Sequence, residues 1–142
     1  MSNTLPPDTR LLLIDDHQIY LDGLSLTLGS LCEGVQLDHA HNAAEALQQV
    51  SEHPYDLILL DLQLPDSSGL ALLQKLRAAD AMAPIAILTA SNSPSDLDAA
   101  LQLGAAGFIS KTADGKTLLQ AVTQLLYGAQ VVISDENRPL DR

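Results

Sequence analysis

The chain has 142 residues, 46% of them hydrophobic, enough for one globular domain with a core of its own. Eighteen acidic against seven basic residues give a formal net charge of -11, which repels a phosphate backbone and argues against nucleic-acid binding by this chain alone. The lone Cys32 excludes a disulfide framework, no apolar run reaches the roughly 20 residues of a membrane span, and the polar start MSNTLPPDTR lacks a signal-peptide pattern, so a cytoplasmic protein is expected.

After a Pro-containing lead-in over residues 1–9, the apolar run 11–14 predicts a strand that ends in Asp15, Asp16 and His17. The segment up to Leu31 places Tyr20, Leu24, Leu28 and Leu31 at helical spacing; Leu24, Leu26 and Leu28 also alternate like a strand, but the length favours a helix. A second, more polar strand over 35–41 belongs at or near a sheet edge. Asn42 with Glu45 three residues on resembles a capping box for a helix that turns Ala46, Leu47 and Val50 to one face.

The run 57–60 (LILL) is too short for a buried helix and reads as a strand covered on both faces, with Asp61 at its end. Leu64, Pro65, the polar run 66–68 and Gly69 mark the loop into a third helix over 68–79, with Leu72, Leu73 and Leu76 inward. Pro84 opens a fourth strand over 85–88, followed by Thr89, Ala90 and Ser91. Ser93, Pro94 and Asp96 start a short fourth helix that stops at Gly104, with Leu97 and Leu101 its main anchors. The fifth strand, 107–110, ends in Lys111, and the helix over 114–127 carries Leu118, Leu119, Val122, Leu125 and Leu126. Residues 129–142, including the apolar Val131, Val132 and Ile133, read as a linker or tail after a domain spanning 10–128.

Five βα units with apolar strands imply a flavodoxin-like (βα)5 three-layer sandwich, its parallel sheet ordered 2-1-3-4-5. In such sheets ligands bind beyond the carboxyl ends of the strands. Strands 1 and 3 are then neighbours about 4.8 Å apart, so Asp15, Asp16 and Asp61 come within reach of a shared ion, with Thr89 and Lys111 on the same edge. Crowded carboxylates stay ionised only beside compensating charge, and a hard divalent cation such as Mg²⁺ supplies it. An aspartate so placed can be a nucleophile toward a phosphoryl group, with the metal and a lysine neutralising the transferring oxygens.

These residues carry a resemblance. The acidic pair Asp15 and Asp16, Asp61 with Pro65 and Gly69 (D-x-x-L-P-x-x-x-G), Thr89, and GAAGFISK ending in Lys111 are similar to the response-regulator receiver domain of two-component signalling. The resemblance implies that Asp61 is the phosphoacceptor and that Asp16, Asp61 and the backbone carbonyl of Gln63 hold Mg²⁺, with Asp15 supporting it through water. It further implies that Thr89 and Phe108 are a switch pair, that Gln63 and Ser91 tune phosphoryl lifetime, and that a sensor histidine kinase is the donor.

DDH with Gly23 and Leu24, together with GAAGFISKT, resembles the NarL and FixJ type, whose receivers precede a LuxR-type helix-turn-helix domain and can dimerise on phosphorylation. With only about fifteen residues after the last helix, an excised receiver ending in its linker is favoured over a single-domain regulator. Thr112 stands where many receivers have proline, which leaves the Lys111–Thr112 peptide geometry open. His17 follows the acidic pair, but Mg²⁺ prefers oxygen, so a helix-start or hydrogen-bonding role is expected. A haloacid-dehalogenase-type phosphatase would need a second aspartate where Gln63 stands. A flavodoxin-like cofactor binder would need a Ser/Thr/Gly-rich phosphate loop where Asp15 and Asp16 stand.

Overall fold

The structure, a computed structural model, describes residues 8–31, 34–79, 82–90 and 93–133, so Cys32, Ser91 and the tail from 134 lie outside the described residues. Strands β1 (Arg10–Ile14), β2 (Gln36–Ala40), β3 (Leu57–Leu60), β4 (Ile85–Thr89) and β5 (Gly107–Ser110) alternate with helices α1 (Gln18–Leu31), α2 (Ala43–Glu52), α3 (Gly69–Ala79), α4 (Pro94–Gln102) and α5 (Gly115–Leu126). A sixth strand, β6 (Val131–Ile133), falls in the stretch read as linker or tail. All strand pairs are parallel, in the order β2-β1-β3-β4-β5-β6. Gly128, at φ 93°, reverses the chain after α5, and β6 then pairs alongside β5. Gly107 makes that approach possible, because a Cβ there would lie 2.9 Å from the Val131 carbonyl oxygen.

Strand alternation divides the core between the two faces of the sheet. Leu11 and Leu13 of β1 pack with Leu59, Leu88 and Ile109 under α1 and α5, while Leu12 and Ile14 pack with Ile58, Leu60, Ile85 and Ile87 under α2, α3 and α4. Each strand from β3 to β5 is buried along its whole length, whereas β2 is half-covered, as an edge strand should be.

The helices follow from their apolar stripes, with two differences from expectation. In α1, Leu21, Leu24 and Leu28 are buried while Leu26 is 75% exposed, which settles the helical reading of a segment that could alternate; the side chain of Leu31 lies outside the described part. In α4 the fully buried residue is Ala100; Leu97 packs partly covered against the same cluster, as expected, while Leu101 is not part of it. In α2, Asn42 Oδ1 accepts the Glu45 N–H at 2.8 Å, and Glu45 Oε1 reaches back to the N–H of His41 rather than of Asn42. Asp66, from the loop after β3, accepts the N–H groups of Ala43 and Ala44, which ties that loop to the start of α2. No described helix is long and apolar enough to cross a membrane.

Candidate functional site: an acidic cluster at the carboxyl edge of the sheet

The backbone fixes the site before any side chain contributes. Asp61 N–H donates to Ile14 O at 2.9 Å, Asp15 N–H to Ala40 O at 2.9 Å, and Lys111 N–H to Thr89 O at 2.9 Å. The ends of β1, β3, β4 and β5 are thereby held level, and Asp15, Asp61, Thr89 and Lys111 share one edge. The close approach of α3 to β3 behind Asp61 depends on Gly69, whose N–H donates to Leu62 O at 2.8 Å.

The two oxygens of Asp61, a residue only 2% exposed, have different partners. Oδ1 accepts from the Thr89 hydroxyl at 3.0 Å and from the Gln63 N–H at 3.3 Å; Oδ2 accepts from Lys111 Nζ at 3.1 Å. Lys111 Nζ also lies 2.6 Å from Asp15 Oδ2 and 4.7 Å from the centre of the Tyr20 ring. Burial alone would lower the pKa of the Lys111 ammonium, but its hydrogen bonds and charge interactions with Asp15 and Asp61 outweigh that, and the net shift is upward. Burial, then the charges of Asp15 and Asp61, push the Tyr20 phenol up to about 12.

His17 sits closer to the carboxylates than the sequence suggested. Its N–H donates to Asp15 Oδ1 at 2.9 Å, a turn that starts α1, and its carbonyl accepts from Leu21 N–H, so the helix-start role holds. Its ring reaches inward as well, with Nδ1 2.7 Å from Asp15 Oδ1, 3.3 Å from Asp16 Oδ1 and 3.8 Å from Asp61 Oδ2. Nothing in the sequence pattern fixed that rotamer.

Asp15, Asp16, His17 and Asp61 each offer one ligand atom, all within 4.8 Å of one another. Three carboxylates facing one ammonium leave a net negative charge, and a carboxylate-rich donor set suits a hard divalent cation. Asp16 is the solvent-facing carboxylate, its side chain 39% exposed, which leaves an approach from water. The residues present therefore fit a cation of that class.

Of the remaining residues singled out, Thr89 is fully buried against Asp61, and Phe108 is 6% exposed in the core cluster that includes Ala100 of α4 and Ala105. Gln63 is exposed, and its N–H is the group turned to Asp61; Ser91 lies outside the described residues. No described peptide bond is cis, so Lys111–Thr112 is trans, and Thr112 is tied to Ser110 through a 2.7 Å hydroxyl contact.

A doubly wound parallel sheet with acids beyond β1 and β3 and a lysine beyond β5 defines a class of α/β signalling domain. The chain belongs to the response regulator receiver domain family, which it matches over residues 11–123. It is 32% identical over 140 residues to the nitrate/nitrite response regulator NarL of Escherichia coli K12, covering 99% of this chain and 63% of that protein. A two-component response regulator of the LuxR family from Aurantimonas superposes with a TM-score of 0.81 at 29% identity, covering 87% of this chain and 89% of that one. A Burkholderia pseudomallei response regulator, whose structure contains a phosphorylated aspartic acid, a calcium ion and citrate, superposes with a TM-score of 0.75 at 29% identity, covering 84% and 69%. The chain thus spans less than two thirds of NarL's length.

Proposed function

We propose that the chain accepts a phosphoryl group on Asp61 from a sensor histidine kinase and uses it to control a tethered helix-turn-helix DNA-binding domain in the full-length protein. The observation that carries this reading is the division of labour on Asp61, whose Oδ2 faces Lys111 while its Oδ1 faces Thr89. The relative from Burkholderia pseudomallei, with its phosphorylated aspartic acid, supports it.

In this reading one Asp61 oxygen forms the bond to phosphorus as the donor's bond to the phosphoryl group breaks, and the donor's leaving group departs with that electron pair. Lys111, whose ammonium is stabilised where it stands, then neutralises a phosphoryl oxygen, and the Thr89 hydroxyl donates to another. Asp15, Asp16, Asp61 and the Gln63 carbonyl would hold Mg²⁺, which when bound supplies positive charge against the carboxylates and the transferring oxygens. The chain then catalyses only its own phosphorylation and dephosphorylation.

Phosphorylation would stabilise the inward placement of Thr89 and Phe108 and reset the surface around α4. A partner or second copy approaching the α4, β5 and α5 side would meet β6, which lies along the outer edge of β5. The test is intact-mass analysis after incubation with acetyl phosphate, with and without Mg²⁺, for wild type and Asp61→Asn. An Mg²⁺-dependent, hydroxylamine-labile adduct in wild type and none in the variant is expected. No adduct from small donors or from a histidine kinase would overturn the proposal.

A further inference from the structure

The imidazole of His17 is part of the acidic cluster, its ring nitrogen within 4.8 Å of the Asp15, Asp16 and Asp61 oxygens. An octahedral ion with bonds about 2.1 Å long has adjacent donors about 3.0 Å apart and opposite donors about 4.2 Å apart. From His17 Nδ1 the Asp15, Asp16 and Asp61 oxygens lie at 2.7, 3.3 and 3.8 Å, comparable with those separations; the shortest is a hydrogen bond from the ring N–H to the carboxylate, and a bound ion would take the place of that proton. The ring is more than half exposed yet turned inward, and the backbone N–H of the same residue is anchored on Asp15 Oδ1 at 2.9 Å. Lys111 Nζ stands 3.5 Å from Nδ1 and shares the Asp15 and Asp61 carboxylates with it, so a cation beside the ring would share those oxygens with the ammonium.

Mg²⁺ and imidazole are a poor match, because Mg²⁺ takes oxygen ligands and holds its waters. Borderline divalent ions such as Co²⁺, Ni²⁺ and Zn²⁺ bind imidazole nitrogen well. We propose that His17 Nδ1 is an additional donor of this site for borderline transition-metal ions and a bystander for Mg²⁺. The site then has two modes: an all-oxygen mode with the ring outside the coordination sphere, and a mixed oxygen and nitrogen mode with the ring inside it. This rests on the acidic cluster being a cation site at all.

The test is calorimetric titration of the 142-residue chain with Mg²⁺, Co²⁺ and Ni²⁺, alongside the visible absorption of bound Co²⁺. The variants are His17→Ala, His17→Gln, Asp16→Asn and, because the His39 and His41 rings lie 6.5 Å apart at the end of β2, His41→Ala. The expected result is at least a tenfold loss of Co²⁺ and Ni²⁺ affinity and an altered Co²⁺ spectrum in both His17 variants, with Mg²⁺ affinity within about twofold of wild type. Glutamine keeps a polar side chain at the helix start, so a common result in the two variants separates ligation from folding. Equal losses for Mg²⁺ and Ni²⁺, an unchanged Ni²⁺ affinity, or a loss that follows His41 instead would overturn the proposal. If Asp16→Asn leaves the affinity for every ion unchanged, the cation-site reading fails with it.

Discussion

Replacing Gly69 with alanine should damage the fold and the site together, and the structure sets the size of the effect. A Cβ at Gly69 would lie 2.4 Å from Leu62 Cα, 2.7 Å from the Asp61 carbonyl oxygen and 3.0 Å from Leu62 Cδ2. The first two are main-chain atoms at the end of β3, where Asp61 N–H is bonded to Ile14 O and Gly69 N–H to Leu62 O, so no side-chain rotation relieves the contact. Carbon atoms pack at about 3.5–4.0 Å, so the start of α3 or the end of β3 must give way by roughly 1 Å.

Overpacking of that kind costs about 1–3 kcal/mol and sometimes more, and two main-chain contacts put Gly69→Ala near the top, at about 3 kcal/mol. In a domain of this size that is a fall of roughly 10 °C in Tm. A displacement of about 1 Å at Asp61 should also slow phosphorylation by acetyl phosphate, by up to about a hundredfold. Gly23→Ala is the control, because Gly23 lies within α1 and a Cβ there would have nothing inside 4 Å. That change should raise stability by about 1 kcal/mol, alanine being the better helix former. Urea denaturation of the three chains, with phosphorylation rates by intact mass, decides the matter. Gly69→Ala as stable as wild type, or slowed no more than Gly23→Ala, would refute the steric argument.

Three further outcomes are expected. The Tyr20 ring below Lys111 Nζ contributes a cation–π contact of about 1 kcal/mol, so Tyr20→Leu should slow acetyl phosphate-driven phosphorylation about fivefold while Tyr20→Phe stays within about twofold; equal slowing in both would assign the effect to the hydroxyl instead. The carboxyls of Asp66 and Asp114 are held below the usual range chiefly by the N–H groups of Ala43 and Thr117, respectively. A depressed folded-state pKa contributes stability above the unfolded value, about 3.9, that is lost as pH falls through the folded value. The urea midpoint should therefore fall below about pH 4, and less steeply in an Asp66→Asn, Asp114→Asn chain. Thr89→Ala should still be phosphorylated, since Lys111 remains on Asp61, but should lose the phosphorylation-dependent change in dimer or partner affinity; an unchanged shift would remove Thr89 from the switch.

The parts legible in the sequence were those decided locally or by a general topological rule. Four residues at 57–60 can be buried on both faces only as a strand, and once strands 1 and 3 are neighbours Asp15 and Asp61 must meet. The parts that were not legible depend on distant partners. Three residues at 131–133 are too few to announce a strand, and β6 exists because Gly107 leaves room for it; the β-branched run VVI was the available signal. Asp66 looked like a loop residue because the helix it caps begins 23 positions earlier. Ala100, rather than Leu97 or Leu101, is the fully buried residue of α4, in the cluster that holds Phe108 and Ala105, and the leucine spacing did not announce it. Tyr20 packs on the helical stripe where its spacing put it, whereas the inward turn of the His17 ring follows from the carboxylates around it.

The placement of Thr89 and Phe108 bears on how much work a phosphoryl group has to do. With Thr89 already hydrogen-bonded to Asp61 Oδ1 and Phe108 already buried, both occupy the inward positions that the proposed switch assigns to the phosphorylated state. Moving a population from 1:99 to 99:1 takes about 5.5 kcal/mol of differential interaction. Charge-assisted hydrogen bonds to a phosphoryl group, from Lys111 and Thr89, would supply part of it. In the proposed switch α4 is the helix that would move most readily, since Ala100 is its one fully buried residue. A strongly held site beside a weakly held helix is the arrangement in which a local charge can move a surface without unfolding the sheet between them.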